Sequence, residues 1–325
     1  MNNVIKEIGL ALILGVLLPG IILHGAVKLS KHRMDLTNET EVMFYTQPEE
    51  ETIRVCVLQA DETIVIMELE EYITGVVLAE MPASFEAEAL KAQAVVARTY
   101  TMRAKNGKSK HDQADVCTES SCCQAFCDIG TLETEDTQKT LAAVLDTRWE
   151  VLTYEGELIE ATYFSCSGGT TEDAVAVWGT DVPYLVATNS PGEEKATHYT
   201  DELTVPADRF LNTLSLESSR PPEEWFGAVS YTAGGGIDSA EICGKTFKGT
   251  ELRKLLGLKS TAIQFDPQTD SVRIITRGFG HRVGMSQYGA DAMAVNGSDF
   301  EEILRHYYPG TVLENRSIDK PVFLG

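Results

Sequence analysis

Apolar residues at Leu69, Tyr72, Ile73, Val76 and Val77 recur at the i, i+3, i+4, i+7 spacing of a helix with one buried face. Nearly three helical turns beyond Leu69 the same stripe reaches Glu80, and Met81-Pro82 follows. A proline forces the residue before it out of the helical region, so the spacing predicts a helix that stops there. A carboxyl is thereby expected on the buried side of a helix C-terminus, where desolvation and the negative end of the helix dipole both raise its pKa. An acid kept protonated near neutral pH is what glycosidic general-acid catalysis requires; the plainer alternative is a carboxylate that caps or pairs locally.

A second helix is predicted over FEAEALKAQAVVARTYTMRA, with Ser84 as N-cap and Glu86 and Glu88 in its acidic first turn. Ala89, Ala92, Val96 and Tyr100 lie along one line of it, and Gln93 sits among them, where a backbone partner in the core is expected to satisfy it. Lys91 and Arg98 share the opposite face, either as solvated charges or as part of a cleft beside Glu80.

Strand periodicity marks IRVCVL (53–58) and TIVIMEL (63–69), a hairpin about Ala60-Asp61-Glu62. The stretch 141–165 reads as strand-like runs (WEVLTY, ELIEATYF) about Glu155-Gly156, and 189–225, rich in Pro, Ser and Glu, reads as surface loops. AIQFD and VRIITRG are late strands, leading through a Gly-rich turn to helices near 286–296 and 298–307. With no regular βαβ repeat, the fold class predicted is α+β, a mixed helix and sheet catalytic body with a cleft.

The N-terminus changes the topology. IGLALILGVLLPGIILHGAV (8–27) is long enough to cross hydrocarbon, so one N-terminal transmembrane helix is expected; a signal peptide cut near Gly25-Ala26 is the alternative. The chain then divides into a tail (1–7), the anchor (8–27), an acidic linker (28–51), the body (52–315) and a closing tail (316–325). Lys28, Lys31 and Arg33 follow the span and by the positive-inside rule favour a cytoplasmic body.

The net charge of −22 would repel a polyanion, so no nucleic-acid partner is expected. Of seven cysteines, Cys117, Cys122, Cys123 and Cys127 crowd together near His111, which reads as a metal or redox site and not as a disulfide framework. Thiolates with imidazole suit tetrahedral zinc. Two Gly-rich turns, Ser165-Cys166-Ser167-Gly168-Gly169-Thr170 and RGFGHRVGMSQYG (277–289), offer backbone that approaches a sugar closely. Trp178, Tyr184 and Tyr288 are candidate pyranose-stacking faces.

EEYITGVVLAEMPASFEAEALKAQAVVARTY resembles the signature segment of the stage II sporulation protein D family. YFSCSGGTTEDAVAVWGTDVPYL (163–185), KGTELRKLLGLKST (248–261), GFGHRVGMSQYGA (278–290) and HYYPGT (306–311) match further stretches in order, so the resemblance covers about residues 52–315. It implies lytic transglycosylase activity on peptidoglycan glycan strands stripped of stem peptides, beside a partner amidase and other sporulation membrane proteins, during engulfment. It also implies a single-pass anchor with the body on the cell-wall side, against the charge reading, and Glu80 as the catalytic acid of the Glu-Met-Pro element. Ser165, Gly168, Gly169, His281, Gln287 and Tyr288, with Lys91 and Arg98, are the expected substrate-binding residues. Similar clostridial-type sequences hold a zinc at positions matching His111, Cys117 and Cys123, and a structural role is expected over a catalytic one because the glycan chemistry needs no Lewis acid. Where many relatives have a histidine this chain has Cys122, so the fourth ligand is Cys122, Cys127 or water. Relatives usually carry Gly where Arg282 stands.

Overall fold

The computed structural model describes residues 52–130 and 134–317, which form one compact unit. The expected membrane span, its linker and the tail beyond residue 317 lie outside them. No helix among the described residues is long and apolar enough to cross a membrane. The architecture is α+β, built on two hydrophobic cores.

The first core is organised by two helices, α1 (Leu69–Glu80) and α2 (Ala87–Arg103). Strands β1 (Arg54–Leu58) and β2 (Ile64–Glu68) form the predicted hairpin, closed by Gln59 and Thr63 with Glu62 in the left-handed region, and β3 (Val116–Cys117) joins β1 in parallel. Helix α1 ends as predicted: Met81 is extended at φ −128°, ψ 138°. Helix α2 begins later than expected. Glu86, not Ser84, is its N-cap, because Phe85 turns inward to meet Tyr288 edge-on at 5.0 Å before the helix starts. Gln93 is fully buried, and among the described residues neither its Nε2 nor its Oε1 has the expected backbone partner.

The start of the stretch read as strand is helical: α3 (Glu135–Asp146) is capped by Thr134, whose side chain accepts the Thr137 N–H. Beyond it, β4 (Glu150–Tyr154) pairs with β5 (Glu157–Leu158) and with β14 (Val312–Asn315), and β6 (Tyr163–Phe164) pairs with β13 (Met285–Ser286). The short α4 (Ala174–Trp178) ends in left-handed Gly179. Helices α7 (Gln287–Val295) and α8 (Phe300–Tyr307) close this lobe near the predicted positions, α8 with a full capping box from Asp299 and Glu302.

The second core was not legible in sequence, because part of it lies in 189–225. There β7 (Thr200–Pro206) and α5 (Ala207–Leu214) are regular structure, not loop. β7 is the edge strand of a β11–β12–β7 sheet with β11 (Ala262–Pro267) and β12 (Ser271–Arg277), and of its residues Val205 alone is buried. Helix α5 buries Phe210 and Leu214, with Ala207 and Leu211 packed partly against the same core, an i, i+3, i+4, i+7 stripe that the sequence reading passed over. A second sheet of β8 (Phe226–Tyr231), β9 (Ile237–Ile242) and β10 (Lys245–Lys248) packs here with α6 (Gly249–Leu256).

Arg282 ties the two lobes together. It is 2% exposed, pairs with Glu172 at 3.1 Å, and donates to the carbonyls of Ser167, Thr170 and, in the β8–β9 turn, Gly234. Its φ of 66° is the left-handed conformation glycine adopts freely, a strain of order 1–3 kcal/mol that these bonds offset.

Arg98 and Lys91 correct the sequence reading, since neither lines the cleft described below. Arg98 is 0% exposed, forks onto Glu70 at 2.7 Å and donates to the carbonyls of Val144 and Glu150, because its face of α2 packs on α1, α3 and β4. Lys91 pairs with Glu88 at 3.0 Å and Asp146 at 3.3 Å. Arg98→Ala leaves Glu70 without its counter-ion, and urea denaturation is expected to show a loss of about 3–5 kcal/mol.

Candidate active site

A cleft of about 920 Å³ opens between the C-terminus of α1, the segment 120–123, β6 with its following turn, α6 and the start of α7. Glu80, Ser165, His281 and Gln287 line it as expected, and so does Trp178, which is 43% exposed. Tyr100, Tyr163, Phe164 and Phe279 add further aromatic wall, and Arg253 a cation.

Glu80 is held at both carboxylate oxygens. Oε1 accepts the Ala125 N–H at 2.7 Å and Oε2 accepts from Gln287 Nε2 at 3.4 Å. Burial outweighs these bonds and raises the Glu80 pKa above the ordinary carboxylate range. The Tyr163 hydroxyl, which donates to Gln124 Oε1 at 3.3 Å, lies beside the same carboxyl. Gln124 is fully buried and donates in turn to Thr101 Oγ1 at 3.0 Å.

The segment carrying Gln124 and Ala125 rests directly on α1. Phe126 stacks on Tyr72 at 5.5 Å, and the Cys127 N–H bonds the Gly75 carbonyl. Gly75 makes this approach possible: a Cβ there would collide with the Phe126 ring and lie 2.6 Å from the Cys127 carbonyl oxygen. Gly75→Ala is therefore expected to cost about 1–3 kcal/mol by overpacking, despite the better helix propensity of alanine, and to loosen the Ala125 contact to Glu80. Thermal melts of the variant read the first effect.

The same segment carries the cysteine cluster. The donor atoms of His111, Cys117, Cys122 and Cys123 all lie within 4.8 Å of one another. Zn–S bonds of about 2.3 Å and Zn–N bonds of about 2.0–2.1 Å imply tetrahedral edges of about 3.8 Å between sulfurs and about 3.5 Å from sulfur to nitrogen. Here Cys122 and Cys123 Sγ stand 4.0 Å apart, and they lie 3.7 and 3.5 Å from His111 Nε2. The donor set fits a tetrahedral ion, with Cys122 in the fourth position; Cys127 is exposed and outside the group. Burial pushes the Cys117 thiol up to about 12, so a bound cation is what would favour its thiolate.

The two Gly-rich turns reach the cleft through Ser165, Phe279, Gly280, His281 and Gln287, while Gly168 packs against the other turn. A Cβ on Gly168 would lie 2.8 Å from the Gly278 nitrogen, and the Ser167 and Gly168 N–H groups donate to Glu193, a buried carboxylate. Gly168 and Gly169 are thus not among the cleft-lining residues, and neither is Tyr288, which packs on Phe85. Tyr184 packs against Tyr154 at 5.4 Å, and its hydroxyl accepts the Glu160 N–H. His281 lies 5.3 Å from the Trp178 ring, and its Nδ1 accepts the Val283 N–H at 3.1 Å. Burial, and then the charge of Arg253, lower its pKa to about 4, so it is neutral at working pH and unsuited to proton donation.

Sequence reading missed Tyr163, Gln124, Ala125 and Arg253. Tyr163 and Arg253 stand inside segments that carry the resemblance, but nothing in their spacing marks them. Ala125 acts through its backbone, which no side-chain pattern reports.

Residues 58–154 match the family model described as Stage II sporulation protein. The chain is 37% identical over 263 residues to the stage II sporulation protein D of Bacillus subtilis (strain 168), covering 78% of this chain and 76% of that protein. The chain belongs to the stage II sporulation protein D family. The Bacillus amyloliquefaciens stage II sporulation protein D is likewise 37% identical, over 252 residues and 73% of its length. An amidase enhancer of Bacillus subtilis is 32% identical over 292 residues, 74% of this chain but 40% of that longer protein. These stage II sporulation protein D relatives span the second lobe as well as the first, since the matches cover about three quarters of the chain.

Proposed function

We propose that this protein is a lytic transglycosylase that cuts the bond between N-acetylmuramic acid and N-acetylglucosamine in peptide-stripped glycan strands. The observation that carries the reading is Glu80: a single half-buried carboxyl with a raised pKa, gripped by Ala125 and Gln287 at the floor of an aromatic cleft. Glu80 protonates the glycosidic oxygen, and its carboxylate then takes the proton from the muramyl 6-hydroxyl as that oxygen closes on C1 to a 1,6-anhydro ring. Water is not consumed. Hydrolytic glycosidases need a second carboxylate for nucleophile or base. Among the described residues that line the cleft, the only other carboxylate is Glu160, which pairs with Arg103 at 3.4 Å. Trp178, the exposed ring of the cleft wall, offers a face on which a pyranose ring stacks, with Phe279 lining the same cleft.

His111, Cys117, Cys122 and Cys123 would hold a zinc ion whose part is structural. When bound, it fixes the loop from which Ala125 reaches Glu80. On this reading the body lies on the cell-wall side of a membrane anchor at 8–27, where its substrate is, and acts beside a cell-wall amidase in engulfment. The test is a digest of denuded glycan strands with the purified full chain. Anhydro-muramyl ends are expected, and their absence would overturn the enzymatic reading. The likeness to an amidase enhancer favours a second reading, a non-enzymatic wall-binding protein that stimulates an amidase. That reading predicts faster amidase turnover and no new glycan ends.

A further inference from the structure

Arg253 is a cleft residue that the mechanism above leaves without a task. It follows fully buried Leu252 on α6, which anchors that helix in the second core, and its side chain faces the cleft that Glu80 floors. The chain carries 49 acidic residues against 27 basic ones, so carboxylate partners are plentiful. Yet among the described residues Arg253 has no salt bridge and no side-chain hydrogen bond, and only desolvation acts on its ionisation. The other lysine or arginine lining the cleft, Lys110, is committed: its Nζ bonds the Cys122 carbonyl. Leaving a half-buried guanidinium unpaired is costly unless a ligand supplies the anion.

Arg253 is close enough to His281 to depress its pKa, and His281 packs against Trp178. One wall of the cleft thus sets an aromatic face beside a free planar cation. A muramyl residue differs from N-acetylglucosamine by a 3-O-lactyl group. Its carboxyl is a free anion once the stem peptide is removed and a neutral amide while the peptide is attached. A guanidinium fork binds a carboxylate through two parallel hydrogen bonds and gains no such pair from an amide.

We propose that Arg253 reads the lactyl carboxylate of a muramyl residue and thereby selects glycan strands from which the stem peptide has been removed. The proposal rests on the glycan-cleavage reading for its substrate class, but it concerns recognition and can be measured without turnover. The Glu80→Gln protein, alone and combined with Arg253→Gln or Arg253→Lys, is titrated with three probes: denuded strands, denuded strands whose lactyl carboxyls are converted to methylamides, and strands with intact stem peptides. Melting curves confirm that each variant is folded.

With Arg253 present, methylamidation is expected to weaken binding roughly 10- to 100-fold, the range of a charge-assisted hydrogen bond. Arg253→Gln is expected to weaken binding of denuded strands by a similar factor and to abolish the discrimination, while Arg253→Lys, which keeps the charge without the fork, retains part of it. Equal binding of carboxylate and amide strands, no binding of denuded strands, or discrimination that survives Arg253→Gln overturns the proposal. Tighter Arg253-dependent binding of intact strands also overturns it, since the anion read would then belong to the peptide. A wild-type protein that yields no anhydro product while the discrimination holds contradicts the catalytic reading and leaves the recognition intact.

Discussion

Glu80→Gln is expected to lower glycan cleavage by roughly 10²- to 10⁴-fold, the range of a positioned general acid, while the folded protein becomes no less stable at neutral pH. Both halves follow from the same burial. Glutamine keeps the shape of the protonated acid and can still accept the Ala125 N–H, so the site stays assembled without a proton to give. The folded-state pKa of Glu80 is raised, so the folded chain holds this proton more tightly than the unfolded chain. Ionising Glu80 therefore costs stability as pH climbs from the unfolded value of 4.5 through the folded value, and the cost is complete above it. The neutral variant escapes that cost. Its melting temperature should exceed that of wild type near pH 7, with the gap closing below about pH 4. Cleavage by wild type should fall on the alkaline side as the acid form is lost. A variant that melts well below wild type at neutral pH would mean that Glu80 serves as a paired structural carboxylate.

The second large effect concerns the cysteine cluster. Cys123→Ser, or a strong chelator, is expected to lower the melting temperature by roughly 10 °C, from a loss of about 4 kcal/mol in a body of this size. Cleavage should fall with it. The ligands bracket no reacting atom, but Ala125 follows Cys123 by two residues, and its N–H bond to Glu80 is shorter than that from Gln287. Gln124, between them, holds Tyr163 and Thr101. If the ion is structural, activity and stability are lost together and return together when zinc is restored. Chelation that leaves the melt unchanged but stops cleavage would point instead to a metal that takes part in the reaction.

The helix ending at Glu80 was legible because two local signals agreed, an apolar period and a proline stop. The clustering of His111 with Cys117, Cys122 and Cys123 was legible as a crowd of soft donors, although that Cys122 joins the group and Cys127 does not needed the loop to be folded. What sequence could not give is partnership across the chain. Arg98 shows a charge at surface spacing, yet Glu70 and two carbonyls draw it into the core. Gly168 looked like a sugar-facing turn and is instead the seat of Gly278. The second core was hard to read because its edge strand buries Val205 alone and its first helix is only about two turns long, short enough for the polar residues around it to mask its apolar stripe. Ala125 is the extreme case, since any residue could donate that N–H and only the folded loop after Cys123 puts it there.

The central claim is that one carboxyl cuts the strand without water. Digestion of denuded glycan strands in heavy-oxygen water, followed by mass spectrometry of the new muramyl ends, tests it most directly. The account predicts ends lighter by one water than a hydrolysed product and carrying no heavy oxygen, all absent with Glu80→Gln. Muramyl ends of full mass that have taken up the label would contradict it.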